Sequence, residues 1–396
     1  MNNLNSLDKA FNNIDWDFSN LSNEGLNSFH WYPATFVSAI PGSIIPLLTD
    51  ENEIVLDTFC GTSVTGLEAI RLGRKYIGID NNPIAILISK SKLIFPDKEL
   101  LLEIFHKYFN DSFKPKNLTK KHPNEELLKR WYHPDTYYEL NNLLNIISKI
   151  ENPVLKIPAL SIFSSILKKT CSQTKHWGWV CDNVIPKPDE ILYKNANDIF
   201  HKSLLTYCNS VDESLRNIEN RGLDISRIEL RNQSELFCAD TNKTISKLES
   251  NSIDLIITSP PYYGVADYVK AQRLSFLWFE KSITEVEGYS FEDFESLRKK
   301  EMGARSKRYS QSSHSEFMNY MREYILLCQD KLKQGKFLVL IVGDSKSRDQ
   351  TIDFVDDFAI NNGFTKEFEF IRQIRESRRR LMAKVKNEQI KVYKKI

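Results

Sequence analysis

The chain has 396 residues, 41% of them hydrophobic, with 54 Lys and Arg against 52 Asp and Glu. That length suggests about two or three domain-sized units, or one large domain carrying an insertion. A net charge of only +2 points to no partner by itself. No apolar run of roughly 18 residues and no charged-then-apolar leader is present, so a cytoplasmic protein is expected, neither membrane-spanning nor secreted. The six cysteines are scattered, with no CxxC pair and no His/Cys cluster at zinc spacing, so no metal is expected.

Residues 1–28 are polar and rich in Asn and Ser, and suggest an extension or a short helix. Ile54–Asp57 is a short apolar strand ending in a Gly/Thr/Ser turn, and Leu67–Leu72 starts a helix. Lys75–Asp80 is a second strand ending in acid, and Asn82–Leu93 has helical spacing with Pro83 in its first turn. Strand, turn, helix, strand, acid and helix in this order predict the first half of a doubly wound, Rossmann-like α/β sheet. The strand pattern then stops: residues 98–231 are mostly amphipathic and helical and predict a helical insertion. Strands resume at Glu235–Ala239, Ile253–Thr258 and Lys336–Val342, and Glu367–Ile374 with Glu388–Lys394 predict a terminal antiparallel hairpin. The expected division is 1–97 for the first half of the sheet, 98–231 for the insertion and 232–396 for the second half.

Charge is unevenly placed. Residues 298–308 carry a net +5 and residues 371–396 a net +8, leaving about −11 for the remainder. Two basic runs near the C-terminal third suit a phosphate-binding surface.

The chemistry concentrates at strand ends. The turn Asp57-Thr-Phe-Cys-Gly61-Thr-Ser-Val-Thr-Gly66 allows close ligand approach, and the following helix offers unpaired N–H groups. It is neither a P-loop nor GxGxxG. Asp80, about 20 residues on, stands where a carboxylate accepts both ribose hydroxyls. Asp240 closes the third strand, where it would accept an adenine amine or cap the next helix. Ser259-Pro260-Pro261-Tyr262 opens directly from the apolar strand 253–258. The Ser259 hydroxyl and the Pro260 carbonyl are acceptors for a planar guest bearing an exocyclic amine, and Tyr262 offers a stacking face, a combination suited to a flipped nucleobase.

Together these residues resemble an S-adenosylmethionine-dependent DNA amino-methyltransferase of restriction-modification type. The turn is similar to that family's Asp-Pro-Phe-x-Gly-Ser-Gly-Thr-Thr motif, with Ser63 and Val64 in place of Gly and Thr. Ser259-Pro-Pro-Tyr262 matches the serine form of the catalytic motif, more often associated with the cytosine amine than with adenine. Phe29–Phe36 resembles the segment preceding the first strand. The resemblance implies catalytic roles for Ser259, Pro260, Pro261 and Tyr262. It implies a cofactor set of Phe29, Tyr32, Pro33, Thr35, Asp57, Phe59, Gly61, Thr62, Ser63, Thr65, Asp80, Asn81 and Asp240. The expected reaction is methylation of cytosine N4 in double-stranded DNA, with adenine N6 the alternative, RNA methylation or an inactive DNA-binding protein less so. A cognate restriction endonuclease would be encoded separately. Candidate DNA contacts are Lys175, Trp177, Trp179, Arg273, Arg305, Lys307, Arg308, Arg378, Arg379 and Arg380, and residues 98–231 are the expected recognition region.

Overall fold

A computed structural model describes residues 2–110, 121–172, 185–223, 225–279, 283, 285–286, 289, 294–343, 351–373 and 387–396. Among the described residues seven strands form one sheet: β1 (Ile54–Asp57), β2 (Lys75–Asp80), β3 (Ser234–Cys238), β4 (Ile253–Thr258), β5 (Leu332–Gly343), β6 (Phe364–Gln373) and β7 (Asn387–Lys395). Their order is β3-β2-β1-β4-β5-β7-β6. The first five are mutually parallel, whereas β7 lies antiparallel between β5 and β6. All seven expected strands are present, with ends shifted by a few residues where the pairing runs past the apolar core of each segment.

The order follows from burial. β4, at the centre, is buried at every position because helices cover both faces of the sheet. The chain runs outward through β1, β2 and β3, then returns to place β4 beside β1. This return creates a switch point between β1 and β4, where a crevice opens at the carboxyl ends of the strands. Register brings Asp57 opposite Gly78 and Asp80 opposite Cys238, so the acids end on one rim.

Between β2 and β3 the described chain is helical, including Pro134–Ser148, Pro153–Thr170 and Ala196–Glu219. Pro153–Thr170 packs on the sheet-covering helix Pro83–Leu93. Ile84, Phe163 and Phe200 belong to one continuous buried cluster, so these helices share the core of the sheet. The N-terminal extension also has a structural role. Phe11 stacks on Phe368 at 4.8 Å and Trp16 on Phe370 at 4.9 Å, covering the edge strand β6 with aromatic rings.

Gly66 shows how tightly the first turn meets the sheet. A Cβ there would lie 2.7 Å from Cζ of Tyr76, a fully buried ring on β2 whose hydroxyl donates to Ser63 Oγ. The Gly66→Ala variant is expected to lose about 1–3 kcal/mol of stability by overpacking, read as a lower urea midpoint at unchanged slope.

Candidate active site

The crevice at the switch point opens into a cleft of about 130 Å³. Its walls include Tyr32, Pro33 and Thr35 before β1; Phe59, Gly61 and Thr62 in the first turn; Asp80 and Asn81 ending β2; Asp240 after β3; and Ser259 and Pro261 after β4. The turn is sewn to β2 by the Cys60 N–H bonding the Ile79 carbonyl at 2.9 Å. Gly61 has φ +50°, and its N–H donates to Asp80 Oδ2 at 2.9 Å. The Asn82 N–H donates to Asp80 Oδ1 at 2.8 Å. Burial still pushes the Asp80 carboxyl up to about 6 against these bonds. Ser63, standing where the resemblance puts glycine, takes the glycine-like φ of +50°. A side chain there costs roughly 1–2 kcal/mol, and the hydrogen bond from Tyr76 helps to offset it.

Four residues of the expected cofactor set lie off this wall. Asp57 is 1% exposed and accepts from Thr258 Oγ1 at 2.6 Å and from the Phe59 N–H at 3.3 Å. It ties β1 to β4, and burial pushes its carboxyl up to about 6. Ser63 and Thr65 are fully buried beneath the turn. Phe29 packs edge-on against Tyr207 at 5.2 Å, on the insertion side. Their positions explain why a motif match includes them: they shape the turn and its surroundings rather than the cavity surface. Asp240 is on the wall, but β3 ends at Cys238, so Asp240 does not close the strand. It caps the helix Thr241–Ile245 through the Lys243 N–H at 3.0 Å.

The loop Ser259–Tyr262 divides between two cavities. Ser259 and Pro261 face the cleft. Pro260, Pro261 and Tyr262 line a small neighbouring apolar cavity of about 40 Å³ with Phe317, Met321 and Val342. Tyr262 is 8% exposed and presents no open stacking face to the cleft. Its hydroxyl meets Ser259 Oγ at 3.2 Å and Glu388 Oε1 at 3.3 Å.

Of the expected DNA contacts, Lys175, Trp177, Trp179, Arg378, Arg379 and Arg380 lie outside the described residues. Arg273 is half-buried with its guanidinium 5.6 Å from the Phe294 ring centre. Lys307 turns inward, its Nζ 3.1 Å from the Glu301 carbonyl, and Arg308 donates to the Arg305 carbonyl at 3.0 Å. Arg305 is exposed. This basic segment is fastened to the chain just after Tyr262, with Gly264 N–H to Gly303 O at 2.8 Å and Arg305 N–H to Ala266 O at 3.0 Å.

The same fastening brings in a group that the sequence pattern hid. Lys300, Glu301 and Met302 join Tyr268 and Tyr320 on the cleft wall. Glu301 sits inside a basic run that masks it in the sequence, and the Gly303–Gly264 pairing sets its position. It is 6% exposed, and its Oε1 accepts the Tyr268 N–H at the start of the helix Tyr268–Ala271. Burial is the main cause that pushes its carboxyl up to about 8. Such a group stabilises the fold fully below pH 4.5 and loses that contribution as pH rises through about 8. Glu301→Gln mimics the protonated form at every pH. Its stability relative to the parent protein is therefore expected to grow by about 2–3 kcal/mol between pH 6 and pH 9, measured by thermal melts across that range. A constant difference would place the titration elsewhere.

Comparison with known proteins points to one family. A family model described as DNA methylase matches residues 2–91 and 253–395, and the stretch it leaves out contains the helical insertion. The type II methyltransferase M.MvaI of Kocuria varians is 24% identical, over 69% of this chain and 62% of its own length. The type II methyltransferase M.MjaII of Methanocaldococcus jannaschii is 22% identical, over 84% of this chain and 76% of its own. M.BsoBI of Geobacillus stearothermophilus, also a type II methyltransferase, is 23% identical over 67% and 55%. The chain thus spans about three-fifths of M.MvaI and somewhat more than half of M.BsoBI. With more than half of its residues covered by the family model, the chain belongs to the DNA methylase family.

Proposed function

We propose that this protein is a site-specific DNA methyltransferase that moves a methyl group from S-adenosylmethionine to the N4 amine of a flipped cytosine. The carrying observation is that Ser259 and Pro261 share one cleft with Gly61, Asp80 and Asp240. The donor set of that cleft suits the cofactor. Asp80, Asp240 and Glu301 are carboxyl groups on its wall, and Lys300 is a cation there. Three acidic groups fit a molecule with a sulfonium, an ammonium, two ribose hydroxyls and an amine to satisfy. Asp80 would hold the ribose and Asp240 the adenine amine, while Gly61 keeps the backbone bare of side chain beside them.

When bound, S-adenosylmethionine supplies an already activated methyl group. The protein's remaining task is the acceptor, whose amine lone pair is delocalised into the base ring. The Ser259 hydroxyl and the Pro260 carbonyl would accept the two amine hydrogens, draw the nitrogen toward tetrahedral geometry and free its lone pair. This is orientation and preorganised polarity, not covalent catalysis. Flipping the base costs a few kcal/mol, to be offset by stacking on Tyr262 and by phosphate contacts from the basic segment around Arg305. Stacking requires the Tyr262 ring to gain a free face when DNA binds. Recognition of the target sequence is assigned to residues 98–231, and a separately encoded endonuclease would complete a restriction-modification pair. Among the described residues no group of His, Cys, Asp and Glu is placed to hold a metal, and no helix is long and apolar enough to cross a membrane.

The test is transfer of labelled methyl from S-adenosylmethionine to duplex DNA, followed by nucleoside mass spectrometry. N4-methylcytosine is the expected product, N6-methyladenine would move the substrate within the same mechanism, and no labelled DNA would overturn the reading. Asp80→Ala is expected to weaken cofactor binding about 10- to 100-fold, the scale of a lost hydrogen bond to a charged group. An unchanged dissociation constant by calorimetry would remove Asp80 from the ribose.

A further inference from the structure

A serine hydroxyl can donate a hydrogen bond or accept one, yet methylation of an amine requires Ser259 to accept. The surroundings of Ser259 determine which it does. Its Oγ lies 3.2 Å from the Tyr262 hydroxyl. That hydroxyl lies 3.3 Å from Glu388 Oε1 and 3.4 Å from the Ile341 carbonyl oxygen. Glu388 Oε2 in turn accepts from Arg372 Nη1 at 2.7 Å. Tyr262, Glu388 and Arg372 are 8%, 8% and 4% exposed, so water does not compete for these bonds.

The polarity of the chain follows from counting protons. A tyrosine hydroxyl has one. Both groups beyond it, a carboxylate paired with arginine and a backbone carbonyl, only accept. Tyr262 therefore gives its proton to that side and has only its oxygen lone pairs left for Ser259. Ser259 must donate to Tyr262, which leaves the Ser259 lone pairs for the cleft.

We infer that Glu388 and Arg372 are positioning residues that hold Ser259 as an obligate acceptor, so that the site selects a base bearing an amine over one bearing a carbonyl at the same place. The pair sits directly across the β6–β7 ladder, where Arg372 and Glu388 are register partners. Removing two charges from water makes a buried ion pair a poor source of net stability. Its value here is a fixed direction: the C-terminal hairpin carries an anion to the back of the catalytic loop, and Tyr262 relays its demand for a proton to Ser259. This inference rests on the methyltransferase reading of the cleft.

The experiment compares the full chain with Tyr262→Phe and Glu388→Gln, using a duplex that contains the methylated site. Three quantities are measured: kcat, the cofactor dissociation constant, and the affinity ratio between that duplex and one with the target amine replaced by a carbonyl (uracil for cytosine, hypoxanthine for adenine). Tyr262→Phe keeps the ring and the Glu388–Arg372 pair but frees the serine proton. It is expected to lower kcat about tenfold and the affinity ratio about fivefold, the scale of one misoriented hydrogen bond. Its cofactor affinity should stay within about twofold, a split that general damage to the fold would not produce. Glu388→Gln, whose amide can donate to Tyr262, should shift kcat and the ratio in the same direction. Should Glu388→Gln fail to fold, Tyr262→Phe alone decides. An unchanged kcat and ratio in Tyr262→Phe, with the parent protein labelling DNA, would overturn the relay and leave the function standing. No label from the parent protein would overturn both.

Discussion

One hydrogen bond joins the two halves of this site. The Thr258 hydroxyl at the end of β4 donates to the Asp57 carboxylate at the end of β1, 2.6 Å away, and the Phe59 N–H reaches both, at 3.1 and 3.3 Å. β1 and β4 are neighbours only because the chain reverses its direction of winding there, and the two loops leaving them are the Gly61 turn and the Ser259–Tyr262 loop. Without a tie at their roots, two loops separated by about 200 residues would diverge with the twist of the sheet. The tie is costly, because burial raises the Asp57 carboxyl to about 6. A group kept in that state is held by what surrounds it, and here the surroundings are the ends of both strands.

A second polar network supports the turn from below. Lys92 is 1% exposed, and its Nζ donates to Thr62 at 3.2 Å and to Asn27 at 3.3 Å. Asn27 donates in turn to Glu68. Burial lowers the ammonium to about 7. The network joins a residue before β1, a residue of the turn and two helices, so the N-terminal segment is bonded to the turn. That explains why Tyr32, Pro33 and Thr35 reach the cleft although they precede the sheet in sequence.

Much of this was legible in the sequence, and the exceptions have physical causes. The strands were visible because central parallel strands must be apolar throughout, and the acids because they stand at strand ends. Gly61, Asp80 and Ser259 could be placed from local pattern alone. Asp57 and Thr65 could not be distinguished from them, since a motif records which residues make a turn and not which of them face inward. Glu301 was hidden by its basic neighbours, and the partnership of Tyr262 with Glu388 by a separation of 126 residues. The N-terminal extension looked merely polar. Phe11 and Trp16 sit too far apart for any short period, and their purpose depends on Phe368 and Phe370 at the other end of the chain.

These observations divide the labour of the sheet. The parallel half, β1 to β4, presents carboxyl groups and backbone to a cleft, and its geometry is that of any doubly wound crevice. The antiparallel strand β7 does something a parallel strand there could not. By entering beside β5 in the reverse direction, it places its first residues, not its last, at the rim, with Gly343 opposite Glu388. A charge carried near the start of β7 therefore arrives behind Tyr262, with its counter-ion supplied by the next strand across the ladder. Reversing one strand lets the final segment of the chain reach the loop on which the chemistry is proposed to depend.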